Sequence, residues 1–294
     1  MTYATYTPSI ARPFRSVRAR RFFECVQTLF QRIFANTPEL IRESYRLRYQ
    51  VYCLERQFEN PAQSPDGLER DGYDHHSLHG ILRHRATGTA IGTMRWILHK
   101  AEAGTRSFPL YEVCQDPRMR SEDFLPLERT AELSRFAISK EFRRRASDGV
   151  CGLTRHAVER DNREPISNIA LHLIAFALQI AFTRGVEYGV AAMEPTLLRL
   201  LRRFALTFEP LGPLVQYHGW RQPCYAHLPS LMAQVKRERP EIWDLMADSS
   251  HPTPSLIGAL SSESVRSRPP RNGDRFSDHQ DFPRDEVAAL PAVA

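Results

Sequence analysis

The sequence predicts a mixed α/β sheet built as a single domain, and three features of its middle section point there. SLHGILRHRATGTAIGTMRWIL reads as two strands joined by a turn. A long, nearly all-apolar run, PISNIALHLIAFALQIAFTRG, reads as a buried helix. It lies between two further extended runs, ELSRFAIS and VEYGVAAM. A hairpin, a central strand, a crossover helix and another strand make a mixed sheet, for which right-handed crossovers are the default.

Taken in chain order, the body starts with a helix around residues 38 to 50. The hairpin follows, turning at Thr87-Gly88-Thr89, and TAELSRFAIS at 130–139 supplies the third strand. The apolar helix has cap candidates at Ser167 or Asn168, whose side-chain oxygens can accept a free first-turn N–H, and a stop at Gly185. Pro195 opens a helix over PTLLRLLRRFA because its fixed φ suits the first turn, and LVQYHGWRQPCYAHL returns to strand.

The ends differ from the body. In ARPFRSVRARRFFECVQTLFQRIF, Phe22, Val26, Leu29, Phe30 and Ile33 recur at helical spacing behind Arg12, Arg15, Arg18, Arg20 and Arg21. A helix packed on the domain with a solvated basic arm is one use of this pattern. A helix lying on anionic lipid at the inner membrane surface is the other. The last stretch is rich in Ser, Pro and Arg without a sustained period, which predicts a disordered tail. The expected organisation is a flexible arm over 1–20, a folded domain over 21–247 and the tail over 248–294.

Composition narrows the class. With 294 residues, 42% hydrophobic and 25% charged, the chain resembles an ordinary globular protein. Its net charge of +6 suits an anionic partner such as nucleic acid, a membrane surface or an acidic carrier protein and alone chooses none of them; on the whole sequence the expected partner is the carrier protein, with no nucleic acid. Five cysteines without a C-x-x-C pair indicate neither a disulfide framework nor a zinc site, so a reducing cytoplasm is the expected location. Neither a signal peptide nor a membrane span is expected, since no uncharged run reaches the length of about 20 residues that a span needs.

Glu132, Ser134 and Arg135 interrupt a strand that otherwise reads as core, where an unpaired charge is costly. On an ideal strand Glu132 and Ser134 share one face and Arg135 takes the other. A bulge near Ser134 or Arg135 would turn both charges toward one cleft. Arg95, among the apolar neighbours of TMRWI, needs an acidic partner, and Asp71 and Asp74 near an element end are the candidates. The bland alternative is that these two acids only cap and solvate a turn. His75, His76 and His79 have metal-like density, but extended spacing sends His76 away from His75 and no Cys completes a set, so no metal is expected. After the strand, SKEFRRRASDG places Arg143, Arg144 and Arg145 where forked hydrogen bonds can hold a phosphate and an acidic protein surface.

These residues carry a resemblance that spans about residues 40–228. RLRYQVYCLERQF, ERDGYDHHSLH, GTMRWI and ELSRFAIS occur in that order. The chain resembles the N-acyltransferases that include acyl-homoserine-lactone synthases and N-acyl amino acid synthases, a branch of the GNAT fold, with the exosortase-associated (PEP-CTERM) acyltransferases as the nearest likeness. The matching positions are Arg48, Tyr52 and Phe58, then Asp71 and Asp74, then Arg95, then Glu132 and Arg135. The resemblance implies a GNAT-like fold with a splayed central strand that admits a thioester.

It further implies Glu132 and Arg135 as catalytic residues, Glu132 being the base. Arg48, Tyr52, Phe58, Asp71, Asp74, Arg95, Ser134 and Phe136 would form the substrate site. Two departures matter: Phe58 stands where the lactone synthases carry Trp, and AEAGTRSFPLYEVCQDPRMRSEDFLPLER is inserted between Arg95 and Glu132. The first favours an amino acid acceptor over S-adenosylmethionine. Arginines in place of a glycine-rich pyrophosphate turn favour acyl-phosphopantetheine on acyl carrier protein as donor, with no bound cofactor. The expected activity is transfer of a fatty acyl group to an amino acid amine. Lactone synthesis and a non-catalytic acyl-binding module are the alternatives, and the last holds if Glu132, Arg135 and Arg95 point apart.

Overall fold

The computed structural model describes residues 29–140 and 164–247. The basic arm, Phe22 and Val26 of the amphipathic run, Arg143, Arg144, Arg145 and the tail lie outside the described residues. The chain enters on β1 (Phe30–Ala35), which pairs antiparallel with β2. This corrects the helix expected through Leu29, Phe30 and Ile33. Phe30 and Ala35 are buried in the sheet, so pairing along an otherwise open strand prevailed over a pattern that was compatible with helix.

Thr37 then caps α1 (Pro38–Arg48), accepting the Leu40 N–H, with Pro38 in the first turn. The α-helix ends two residues short of expectation and widens into a π-helical segment, Tyr49–Glu55. Such widened turns re-aim side chains and recur at functional sites. β2 (Ser77–His84) and β3 (Ala90–Leu98) form the expected hairpin, with Gly88 at φ +67° in the turn. Between β3 and the next strand the inserted segment forms short helical turns and α2 (Leu110–Val113). Its Phe108, Leu110, Cys114, Met119 and Leu125 are buried in a small core with Ile97, Val190 and Leu211.

β4 (Thr130–Ile138) is the strand with the charges. It is followed by the buried helix α3 (Glu164–Thr183), β5 (Tyr188–Met193) and α4 (Pro195–Arg202). Ser167 and Asn168 fall inside α3, so neither is its cap. Gly185 ends it as expected, at φ +69°. Short β6 (Glu209–Pro210) and β7 (Val215–Gln216) flank β8 (Trp220–His227), and α5 (Leu228–Glu238) with α6 (Pro240–Ala247) close the described body.

The sheet order is β1-β2-β3-β4-β5-β8-β6, with β7 on β8. Among the described strands only β4 and β5 run parallel, joined across α3. On one face Trp96, Met94 and Leu133 pack under the wholly apolar side of α3, and the Trp96 indole donates to the Ala177 carbonyl at 2.8 Å. Gly80 lets this helix come close, since a Cβ there would lie 2.9 Å from the Phe176 ring. The other face carries α1, anchored by Ser44 on Thr93 at 2.9 Å, and the insertion. No described helix is long and apolar enough to cross a membrane.

Candidate acyl-transfer site

Two irregularities in β4 build the site. Its parallel pairing with β5 covers Thr130, Ala131 and Glu132 and then stops, so the two strands part beyond Glu132. Its pairing with β3 slips: Arg95 lies opposite Ser134 and Thr93 opposite Ala137, two residues against three. That is a bulge at 135–136, and Arg135 sits there at φ +50°, a left-handed conformation costly for a non-glycine residue. The bulge restores Ala137 to the face of Glu132 and Ser134 and turns Arg135 toward the same side. Gln57 (φ 56°) and His218 (φ 50°), bracketing Phe58 in space, share this strained conformation.

A cleft of about 320 Å³ passes through the gap between β4 and β5. Arg95, Glu132, Ser134, Arg135, Tyr217 and His218 line its polar end. Leu133, Ile138, Ala170, Ile174, Leu197 and Leu200 line the apolar end beneath α3 and α4. Tyr52, Phe58 and Phe136 lie along it, and the Tyr52 ring carries the Arg135 guanidinium at 5.2 Å. One passage thus offers charged groups on one side of the sheet and a hydrocarbon wall on the other.

Around the polar end three guanidiniums meet four carboxylates. Arg48, fully buried, donates to Glu69 at 2.5 Å and Asp74 at 2.6 Å. Arg95 donates to Asp71 at 2.6 Å, Asp74 at 2.7 Å and the Ser134 hydroxyl at 3.0 Å. Arg135 reaches Glu69 at 2.9 Å and both Asp71 and Glu59 at 3.2 Å. Arg95 therefore has the acidic partners its burial requires. Asp71 and Asp74 also hold their own turn, accepting from the Tyr73 and Asp71 N–H groups, so the capping role and the pairing role coexist.

Burial alone would raise the pKa of Glu69, but Arg48 and Arg135 overcome it and hold the carboxyl at about 2. The same opposition, with Arg48 and Arg95, places Asp74 well below the usual carboxylate range. Behind them His79 is pushed down to about 4 by burial and by Arg48, so it is neutral at pH 7. His75 and His76 contact each other at 3.2 Å on the surface while His79 faces Asp74, and no metal-binding group occurs among the described residues.

Glu132 is different. It is 2% exposed and has no ion pair among the described residues. Its Oε2 accepts the Leu110 N–H at 2.8 Å. Burial raises its pKa to about 7, against the lowering effects of that hydrogen bond and of Arg95 and Arg135. The buried Glu132–Arg135 or Glu132–Arg95 pair that a merely structural role would need does not form. The donor that holds the carboxylate comes from the insertion, which thereby acquires a place beside the site.

Sequence reasoning passed over four groups. Glu69, two residues before Asp71 in ERDGYD, was within reach of the acid pattern. Glu59, Tyr217 and His218 carry no signal of their own. The turn between β7 and β8 brings His218 over Phe58, where its Nδ1–H donates to the Phe58 carbonyl at 3.2 Å, and sets Tyr217 in the cleft lining. Arg143, Arg144 and Arg145 lie outside the described residues.

A family model described as an acetyltransferase (GNAT) domain matches residues 47–151. No curated protein matches the chain. The chain is similar in structure to TofI in a ternary complex with an inhibitor and MTA, with a TM-score of 0.50 and 21% identity over 71% of this chain and 95% of that one. Lower similarity is found to the CoA-dependent acyl-homoserine lactone synthase BjaI with MTA, at TM-score 0.47 and 17% identity over 80% and 97%. FeeM, an N-acyl amino acid synthase from uncultured soil microbes, gives 0.44 and 12% over 71% and 97%. At 21% identity the likeness to TofI speaks for architecture alone. The chain has a GNAT-like fold, an open mixed α/β sheet parted at its central strand.

Proposed function

We propose that this protein is an N-acyltransferase that moves a fatty acyl group from a phosphopantetheine thioester on acyl carrier protein to the amine of an amino acid. The observation that carries the reading is Glu132: a buried carboxyl with no ion pair among the described residues and its pKa raised to about 7, at the junction of a charged pocket and an apolar passage. A base poised near neutral pH is what an amine needs, because the protonated amine cannot attack a carbonyl.

In this reading the acyl chain lies against Leu133, Ala170, Ile174 and Leu197, where each buried methylene contributes about 0.8 kcal/mol. The thioester carbonyl sits at the parting of β4 and β5, where N–H groups of β4 that face no strand partner stabilise the oxyanion. Glu132 takes the amine proton, directly or through a water. Glu132 hands this first proton to solvent, the free amine bonds to the carbonyl carbon, and Glu132 then takes the second nitrogen proton and passes it to the thiolate as the carbon–sulfur bond breaks. Arg135 and Arg95, locked by their carboxylates, set the shape of the pocket, and Tyr52, Phe58, Ser134 and Phe136 bound it. The acid network carries one more carboxylate than guanidinium, which favours an incoming ammonium group.

The carrier-protein donor rests on Arg143, Arg144, Arg145 and the positive net charge, which steer an acidic partner. An amino acid acceptor rests on Phe58 in place of Trp. The link to exosortase-associated enzymes rests on the motif order alone. Mass spectrometry of organic extracts from cells expressing the chain, compared with cells expressing Glu132→Gln, tests the reading. N-acyl amino acids present only with the unaltered chain are expected; acyl-homoserine lactones, or no new acyl amide, would overturn it.

A further inference from the structure

Two guanidiniums lining the cleft, Arg95 and Arg135, are held by several carboxylates at close range, whereas two others at its mouth are held loosely or not at all. Arg56 and Arg221 both line the cleft, and both lie over the Phe58 ring, at 6.0 Å and 5.4 Å from its centroid. Arg56 makes no ion pair and no side-chain hydrogen bond among the described residues. Arg221 has only the Trp220 carbonyl at 3.1 Å and a long contact to Glu194 at 3.5 Å. A guanidinium stacked on an aromatic face keeps its N–H fork free and oriented.

We propose that Arg56 and Arg221, aligned on Phe58, bind the carboxylate of the acceptor. The inference rests on the amino acid reading above and says where that molecule's second charged group goes. The amine belongs beside Glu132. The carboxylate, bonded through one carbon to that amine, is turned away from Glu59, Glu69, Asp71 and Asp74, where like charge repels it and every guanidinium is engaged, and toward the cleft mouth. The least engaged forks in the same cleft are those on Phe58, Arg56 with no ion pair among the described residues and Arg221 held only at 3.5 Å by Glu194, and a carboxylate is the group such forks fit in bidentate fashion. Glu194 holds Arg221 loosely until the ligand displaces it.

The test is direct binding, read by calorimetry on the purified full chain with a panel of common amino acids and their carboxamides. The expected result is an acid-over-amide preference of about 10- to 100-fold, the range for a charge-assisted hydrogen-bonded pair. In Arg56→Ala/Arg221→Ala that preference falls to nearly none while amide affinity holds, and circular dichroism verifies folding. Absence of acid preference in the unaltered chain, or a preference that survives the double substitution, overturns the assignment. A variant that instead stops distinguishing a phosphopantetheine thioester from a pantetheine thioester would reassign the pair to the donor phosphate and also overturn it. If acid-selective binding depends on both arginines yet no acyl amide forms in turnover assays, the carboxylate site stands and the proposed reaction fails.

Discussion

Glu132→Gln separates catalysis from architecture because the two accounts of this residue predict opposite signs. The folded carboxyl titrates at about 7 instead of the ordinary 4.5. A raised carboxyl pKa means that the folded state binds the proton more tightly than the unfolded chain does. Stability is therefore lost as pH rises from about 4.5 through about 7, and the full penalty applies above that. At about 1.4 kcal/mol per tenfold change in proton affinity, the penalty is of order 3 kcal/mol at pH 8.5. Glutamine removes it while its amide oxygen still accepts the Leu110 N–H. We expect the variant to melt several degrees higher than the unaltered chain at pH 8.5, with the difference shrinking as pH falls and vanishing below about 4.5. Turnover should fall about 10²- to 10⁴-fold, the range for loss of a general base. Differential scanning calorimetry across pH, with acyl-transfer rates on the same samples, reads both. A variant that melts lower at every pH and retains normal turnover per folded molecule would refute the reasoning.

Glu69→Gln should act the other way: Glu69 is held at about 2, so its contribution is present above about 4.5 and lost as pH falls toward 2. The variant should lose about 3–5 kcal/mol at pH 7, because Arg48 and Arg135 lose a buried partner, and chemical denaturation should show the gap to the unaltered chain narrowing below pH 4. Ala170→Phe fills the apolar end of the cleft and should cost long acyl donors more than short ones, about 4-fold in kcat/KM for each methylene excluded. Equal losses across a chain-length series would place the acyl group elsewhere. Truncation after Ala247 should leave the melting temperature unchanged. Truncation after Arg239 strips the buried Ile242 and Met246 and should lower it by several degrees.

Much of this was legible in residues that contradict their surroundings. Charges inside a strand, Arg95 among apolar neighbours and Gly185 after an apolar helix each posed a local conflict, and each conflict has a structural answer: a bulge, an acid pair and a left-handed stop. Periodicity failed at Leu29, Phe30 and Ile33, where a short apolar pattern fits helix and strand alike and pairing with β2 decided between them. Ser167 and Asn168 looked like caps, yet the helix continues N-terminal to both. The ordered insertion and the arrival of His218 over Phe58 and of Tyr217 in the cleft depend on long-range packing that no window of sequence contains.

The central claim is that the cleft at the parting of β4 and β5 transfers an acyl group to an amine with Glu132 as base. It is met most directly by incubating the purified chain with long-chain acyl carrier protein and an equimolar mixture of the common amino acids, and following amide products by mass spectrometry as pH is varied. The account predicts N-acyl amino acid, formed at a rate that rises through an apparent pKa near 7, and a Glu132→Gln variant that is folded, slower by at least about 10²-fold and without that pKa. Product formed equally well by Glu132→Gln, or no acyl amide from any amino acid in the mixture, would contradict it.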